Sequence, residues 1–289
     1  MKGKVGIIGG SGLYNIEGMR KIKKVNITTP FGKPSDAYVT GTLEAQEVVF
    51  LSRHGQGHRH MPSELNYCAN IWGMKKLGVD RIISISACGS LRKDIQPLDI
   101  VVPDQFVDRT HQARKMTFFG EGIVGHVVFA DPVCPELSKI LYKAGKAIGA
   151  NMHRGGTYIN MEGPQFSTRA ESELYRSWGM DIIGMTNIGE ARCAREAEIC
   201  YATLACVTDY DCWYLNDKIV HVSVDLIIQN LLKNIDTAKK IVREALPKLS
   251  GCRDCLCVNA LKDAIMTDPK AMPANTKKKL DLIIGKYIK

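Results

Sequence analysis

At 289 residues with 45% hydrophobic composition, the chain can bury one substantial core, and no Pro/Gly/Ser-rich linker divides it. Its formal charge of +9 is scattered, with a local run only at Lys277-Lys278-Lys279, which argues against nucleic acid as a partner and for a solvated basic surface that helps draw in an anionic substrate. No segment reaches the roughly 18 apolar residues of a membrane span, and Val5-Gly6-Ile7-Ile8 is too short a run for a signal peptide, so a cytoplasmic protein without membrane contact is expected.

Val5 to Ile8 lacks polar alternation, as a strand buried on both faces of a parallel sheet does. Gly9-Gly10-Ser11-Gly12 follows at once, a turn that can bring N–H groups and the Ser11 hydroxyl to an anion. It is neither a Walker loop nor a dinucleotide fingerprint, since no Gly-Lys-Ser/Thr follows and Asn15 stands where a third glycine belongs. A plain turn and a phosphate loop both fit. Tyr38 to Thr42 and Glu47 to Leu51 read as antiparallel strands, the second ending at Arg53-His54-Gly55, where Arg53 can present a planar donor fork to phosphate. His54, His58 and His60 are close in sequence, but no carboxylate or cysteine completes a ligand set, so no catalytic metal is expected. Pro62-Ser63-Glu64 opens a helix whose Tyr67, Ile71, Met74 and Leu77 face the core.

Asp80 to Ser86 is another buried strand, ending in the small residues Ser86-Ala87-Cys88-Gly89-Ser90. Asp99 to Val102 continues the sheet, and Asp104 to Val124 reads as a long polar excursion before Gly125-His126. Pro135 to Ile148 is an amphipathic helix. In Asn160-Met161-Glu162-Gly163-Pro164-Gln165-Phe166-Ser167, an aromatic ring beside Gly-Pro suits stacking on a flat heterocycle. Asp181 to Trp213 reads as strand, crossover helix, strand, placing Thr186-Asn187 and Thr208-Asp209-Tyr210-Asp211 at the carboxyl ends of neighbouring parallel strands, where α/β sheets bind ligands. Asp209 and Asp211 also fit a plain cap of the following turn. Asp225 begins a long helix to Leu249. Thr276 caps a last helix carrying Leu280, Ile283 and Ile284, either a packing arm for a neighbour or a lid.

The ordered pattern Met185-Thr186, Glu190, Ala194-x-Glu196 and Thr208-Asp209-Tyr210-Asp211-Cys212-Trp213, with the run from Asn160 to Ser172, resembles the trimeric purine nucleoside phosphorylase family. The resemblance implies a single α/β domain, a twisted mixed and largely parallel central sheet flanked by helices, over residues 1–258 with a C-terminal helical appendage at 259–289. It implies phosphorolysis of 5'-methylthioadenosine to adenine and 5-methylthioribose 1-phosphate, with phosphate as co-substrate and no cofactor. Acting on adenosine, inosine or guanosine is the alternative within the family, and a non-catalytic nucleotide-binding module is the alternative outside it.

By the same resemblance, Ser11, Arg53, His54, Ser86, Ala87 and Thr186 hold phosphate and Met185 contacts ribose. Phe166, Ser167, Asp209 and Asp211 bind the base, with Asp209 the general acid. Val222, Val224 and Ile227 line the 5' pocket, completed by His126 of a neighbouring subunit in a homotrimer or homohexamer. Gly184 and Gly189 depart from the family's asparagine and proline, which implies a lost polar contact with room for broader specificity at the first, and a looser helix entry at the second.

Ten cysteines are many for an intracellular chain, where disulfides are unexpected outside hyperthermophiles. Thermophilic members of the family carry disulfides, and the resemblance implies pairing of Cys134 with Cys200, Cys193 with Cys252 and Cys255 with Cys257. Reduced thiols, or zinc bound by Cys252, Cys255 and Cys257, fit the spacing as well.

Overall fold

The computed structural model describes residues 3–10, 17–111, 114–214, 224–249, 251 and 253–288, without the side chains of 224–227. Ser11, Val222 and Cys252, and the side chains of Val224 and Ile227, therefore lie outside the described residues.

Strand β1 (Lys4–Gly9) lies parallel between β4 (Gln46–Ser52) and β5 (Val79–Ser90), and β5 is parallel to β11 (Cys200–Asp209). Every residue of β11 is buried, which is why its sequence shows no polar alternation. From β4 the sheet extends through antiparallel β3 (Tyr38–Leu43) to β2 (Arg20–Val25). Beyond β11, β6 (Ile100–Val102) pairs antiparallel and then meets β8 (Met152–Arg154) in parallel.

The far end of β5 changes partners. Pairing with β1 stops at Ser84, and β10 (Ile182–Gly184) takes that edge at Gly89 and Ser90, running antiparallel to β5 and parallel to β9 (Thr157–Met161). Strand β9 in turn pairs with β7 (Gln105–Arg109). The strand ends at 186 and 208 thus do not belong to parallel neighbours, because β5 separates β10 from β11 and the two run in opposite directions. Part of the expected excursion after Asp104 is β7, and β2 escapes a hydrophobic reading because it is a lysine-rich, solvated edge strand.

Successive side chains of the buried strands go to opposite faces. Ile7, Val48, Phe50 and Ile83 pack under α2 (Pro135–Ala147) and α5 (Val224–Ala245), meeting Leu137, Leu141, Ile241 and Val242. Ile8, Val49, Leu51 and Ile82 face α1 (Tyr67–Lys76) and α4 (Asn187–Glu196), with Ile71, Met74, Ala191 and Ala194. A short α3 (Arg169–Ser177) follows the Gly-Pro loop. The last helix, α6 (Ala274–Ile284), buries Leu280, Ile283 and Ile284 in the same layer as α1, so it belongs to this chain's own core instead of forming an arm or a lid. Thr276 lies inside α6, after Pro273, and donates to the carbonyl of Glu121 at 2.8 Å. The whole is one α/β domain built on a mixed, mostly parallel sheet.

Candidate active site

Gly89 is where the strand ends meet. A Cβ there would stand 3.1 Å from Asp209 Oδ1, 3.1 Å from Ile183 and 3.3 Å from Asp211 Cβ, so glycine lets β10 and β11 close on β5 without these neighbours giving way. Because β10 is antiparallel to β5, its continuation through Met185 and Thr186 runs back past Ala87 and Ser86. One edge of the sheet thereby gathers Ser86, Ala87, Met185, Thr186, Asp209 and Asp211.

Arg53 extends β4 by donating its backbone N–H to Gly9 O at 2.9 Å. Its donor fork does not face an open site, as expected from sequence, but grips Glu190 of α4, with Nε at 2.5 Å and Nη2 at 3.1 Å. Nη2 also reaches Ser84 Oγ (2.6 Å) and Nη1 reaches Ile85 O (2.9 Å), leaving one Nη1 hydrogen of the five donors uncommitted. Ser84 and Tyr201 hydroxyls donate to the same carboxylate at 2.8 and 2.9 Å. That full pairing is what lets a buried ion pair persist. Burial opposes the Arg53 charge, and Glu190 more than offsets it, raising the guanidinium's pKa.

His54 is held down to about 4 by burial and by the Arg53 charge, so it is neutral. Its Nδ1 lies 2.8 Å from the carbonyl of His60, which makes Nδ1 the protonated nitrogen and Nε2 a bare acceptor. The ring stacks on His58 at 4.2 Å. Two hydroxyls near this edge are almost free of partners. Ser86 Oγ has only a 3.3 Å contact to Ala87 O, and Thr186, the N-cap of α4, makes no cap bond and has only a 3.5 Å contact to Asn187. A helix N-terminus with an idle hydroxyl suits an anion.

Burial pushes Asp209 up to about 6, with the Asp211 charge adding to it, although Thr208 Oγ1 (2.7 Å) and the Asp211 N–H (2.8 Å) both donate to the carboxylate. Asp211 sits in left-handed backbone at φ 53, and its Oδ2 is buried with no partner at hydrogen-bond geometry among the described residues, although the Ser172 and Ser167 hydroxyls lie near enough to favour its charge. Here stand one carboxyl that takes a proton near neutrality and one acceptor without a donor at hydrogen-bond geometry.

The base loop is anchored by a residue the sequence reading passed over. Buried Arg114 donates from Nη1 to Met185 O (2.6 Å), from Nε to Glu162 Oε1 (3.0 Å) and from Nη2 to Glu162 O, clamping the ends of β9 and β10 together. It escaped notice inside a polar segment read as loop. One lone pair of the Met185 carbonyl is thus engaged. Gly163, at φ +69, packs on the Met185 sulfur, which stands 2.5 Å from where its Cβ would be. Phe166 is 52% exposed, an unusual state for a phenyl ring. The Ser167 carbonyl accepts from Cys212 at 3.3 Å.

Both glycine departures have a packing cause. A side chain at 184 would begin 1.8 Å from the Tyr158 hydroxyl, so no room opens there. Gly189 does not loosen the helix entry. It lies within α4, where a Cβ would stand 2.9 Å from the Tyr67 ring.

His126 is exposed and lines a groove of about 540 Å³ with Arg114, Met116, Thr117, Arg192 and Glu196. Burial pushes Glu196 up to about 7, while Thr117 Oγ1 and the Phe118 N–H, both at 2.6 Å, donate to it.

The expected disulfides are corrected. Cys134, Cys193, Cys200, Cys255 and Cys257 are free thiols, and Cys193 has Cys68 at 3.9 Å as its neighbour. The N-cap of α2, the start of β11 and the Cys255-x-Cys257 segment converge, so that Cys134, Cys200, Cys255 and Cys257 form one group of four instead of two pairs.

A mixed sheet with polar strand ends around a protonatable carboxyl and an anion-ready helix terminus is the architecture of a nucleoside phosphorylase. A profile of the Phosphorylase superfamily matches residues 4–247, and the chain belongs to that family. It is 57% identical over 288 residues to the S-methyl-5'-thioadenosine phosphorylase of Geobacter sulfurreducens, covering 100% of both chains. The enzyme of the same name from Synechocystis is 52% identical, with 98% of this chain and 87% of that one covered. Among solved structures, a methylthioadenosine phosphorylase from an antarctic soil metagenomic library superposes with a TM-score of 0.92 at 49% identity, covering 98% and 99% of the two chains. A mutant adenosine/methylthioadenosine phosphorylase from Schistosoma mansoni in complex with methylthioadenosine gives 0.83 at 37% identity, covering 91% and 96%. Among the described residues no helix is long and apolar enough to cross a membrane.

Proposed function

We propose that the chain catalyses the phosphorolysis of 5'-methylthioadenosine to adenine and 5-methylthioribose 1-phosphate. The observation that carries this reading is the pair at the end of β11, Asp209 pushed up to about 6 beside the unpartnered Asp211 Oδ2. A phosphate oxygen attacks the anomeric carbon as the bond to the purine nitrogen breaks, and the electron pair leaves with the base. Protonated Asp209 donates to N7 and neutralises that charge, while Asp211 accepts from the 6-amino group. At position 6 a 6-oxopurine offers Asp211 an acceptor in place of that donor.

Phosphate is held by Thr186 and the N-terminus of α4, by Ser86 and Ala87, by Ser11, and by the remaining Arg53 hydrogen. His54 contributes an acceptor for a proton on phosphate, not a charge. Phe166 covers one face of the base, Ser167 meets its edge and Met185 meets the ribose. Val222, Val224 and Ile227 surround the methylthio group, with His126 of an adjacent subunit closing the pocket in a trimer or hexamer. The 259–289 segment acts as a packed extension of the 1–258 body. Release of adenine from 5'-methylthioadenosine that depends on added phosphate tests the chemistry. Release that is equal without phosphate contradicts it.

A further inference from the structure

We infer that Cys134, Cys200, Cys255 and Cys257 bind a zinc ion that staples the C-terminal segment to the sheet, a metal the histidine spacing gave no reason to expect. All four sulfurs lie within 4.8 Å of one another, three of the residues buried, and Cys200 to Cys255 is 3.3 Å. Zinc bound at about 2.3 Å by four thiolates in a tetrahedron sets its sulfurs about 3.8 Å apart, each equally near the other three. Two disulfides would instead divide the set into pairs at about 2 Å.

The surroundings suit thiolates. Cys134 is the N-cap of the 13-residue helix α2, whose N-terminus favours a negative sulfur. Arg253 Nη1 lies 3.8 Å from Cys200 Sγ and offsets the excess negative charge left when four thiols lose their protons to a dication. Four protein ligands leave no open position, which marks a structural site. Cys200 opens β11 and Asp209 closes it, so the two centres stand about 30 Å apart at the usual strand rise. The ion would tie together α2, β11 and the chain beyond α5, three parts far apart in sequence.

The test is zinc measured by plasma mass spectrometry on the full chain, purified without added metal or a histidine tag. About one zinc per chain is expected, and cobalt substitution should give the intense visible bands of tetrahedral thiolate coordination. Cys134→Ser and Cys257→Ser should each lose nearly all the zinc and several degrees of Tm, while Cys206→Ser, a buried thiol outside the group, keeps the zinc. If the serine variants do not fold, the wild-type stoichiometry and the cobalt spectrum decide. Metal-free protein with four reactive thiols, an intact mass showing two disulfides, or zinc retained in both serine variants would overturn the site.

Discussion

The Tyr158 hydroxyl stands 1.8 Å from where a Cβ on Gly184 would begin, and it is buried with no partner among the described residues. The β9 hydroxyl fills the space that any side chain at 184 on β10 would need. An unpaired buried hydroxyl costs stability unless a ligand completes it. Tyr158→Phe should therefore leave Tm unchanged or slightly raised, yet raise the nucleoside KM about fivefold, the effect of losing roughly 1 kcal/mol of hydrogen bonding. An unchanged KM would remove the hydroxyl from the nucleoside site. Gly184→Asn should lower Tm and activity together, through collision.

Asp209 gives a pH signature in both stability and rate. Its folded pKa is raised to about 6, so the ionised form is disfavoured in the folded chain. Stability from this group rises as pH falls through about 6 and levels off below about 4, the ordinary carboxylate range. Asp209→Asn should thus gain Tm on wild type at pH 8 and lose that advantage by pH ~4. The same variant should lower turnover of adenine nucleosides by about 10²- to 10⁴-fold and abolish the fall in kcat/KM above about pH 6. A wild-type profile without that falling limb would contradict the assignment.

Glu190 accepts from Arg53, Ser84 and Tyr201 in a fully buried setting. Glu190→Gln leaves the guanidinium charge uncompensated and should cost about 3–5 kcal/mol in chemical unfolding. A loss below about 1 kcal/mol would show the pair to be dispensable.

His54 carries its proton on Nδ1 and stays neutral above about pH 4. His54→Asn keeps a donor for the His60 carbonyl but lacks Nε2, so it should fold normally and raise the phosphate KM about tenfold, with little change in nucleoside KM. Nitrogen chemical shifts reporting an Nε2-protonated ring would contradict the tautomer.

The parallel core was legible because β1 and the centres of β4, β5 and β11 are short, mostly apolar runs without strict polar alternation, and the site followed from what stands at their ends. The direction of β10 was not legible, since it depends on β5 outrunning β1 and offering a vacated edge, a long-range fact. Arg53 stands where it was sought, yet its fork is taken by a glutamate 137 residues away. Arg114 carried no local signal, and Gly189 looked like a flexible turn because the Tyr67 ring against it comes from a distant helix. The cysteine pairing failed for the same reason. Sequence gives spacing, whereas three distant segments of chain had to converge to show a set of four.

Substrate choice tests the central claim most directly. Wild-type kcat/KM is to be measured with 5'-methylthioadenosine and with inosine, at saturating phosphate and constant pH. The Asp209 and Asp211 pair predicts a preference for 5'-methylthioadenosine, narrowed in Asp211→Asn, whose amide can donate to a 6-oxo group. Wild type that cleaves inosine with the higher kcat/KM would contradict the account, even with phosphorolysis intact.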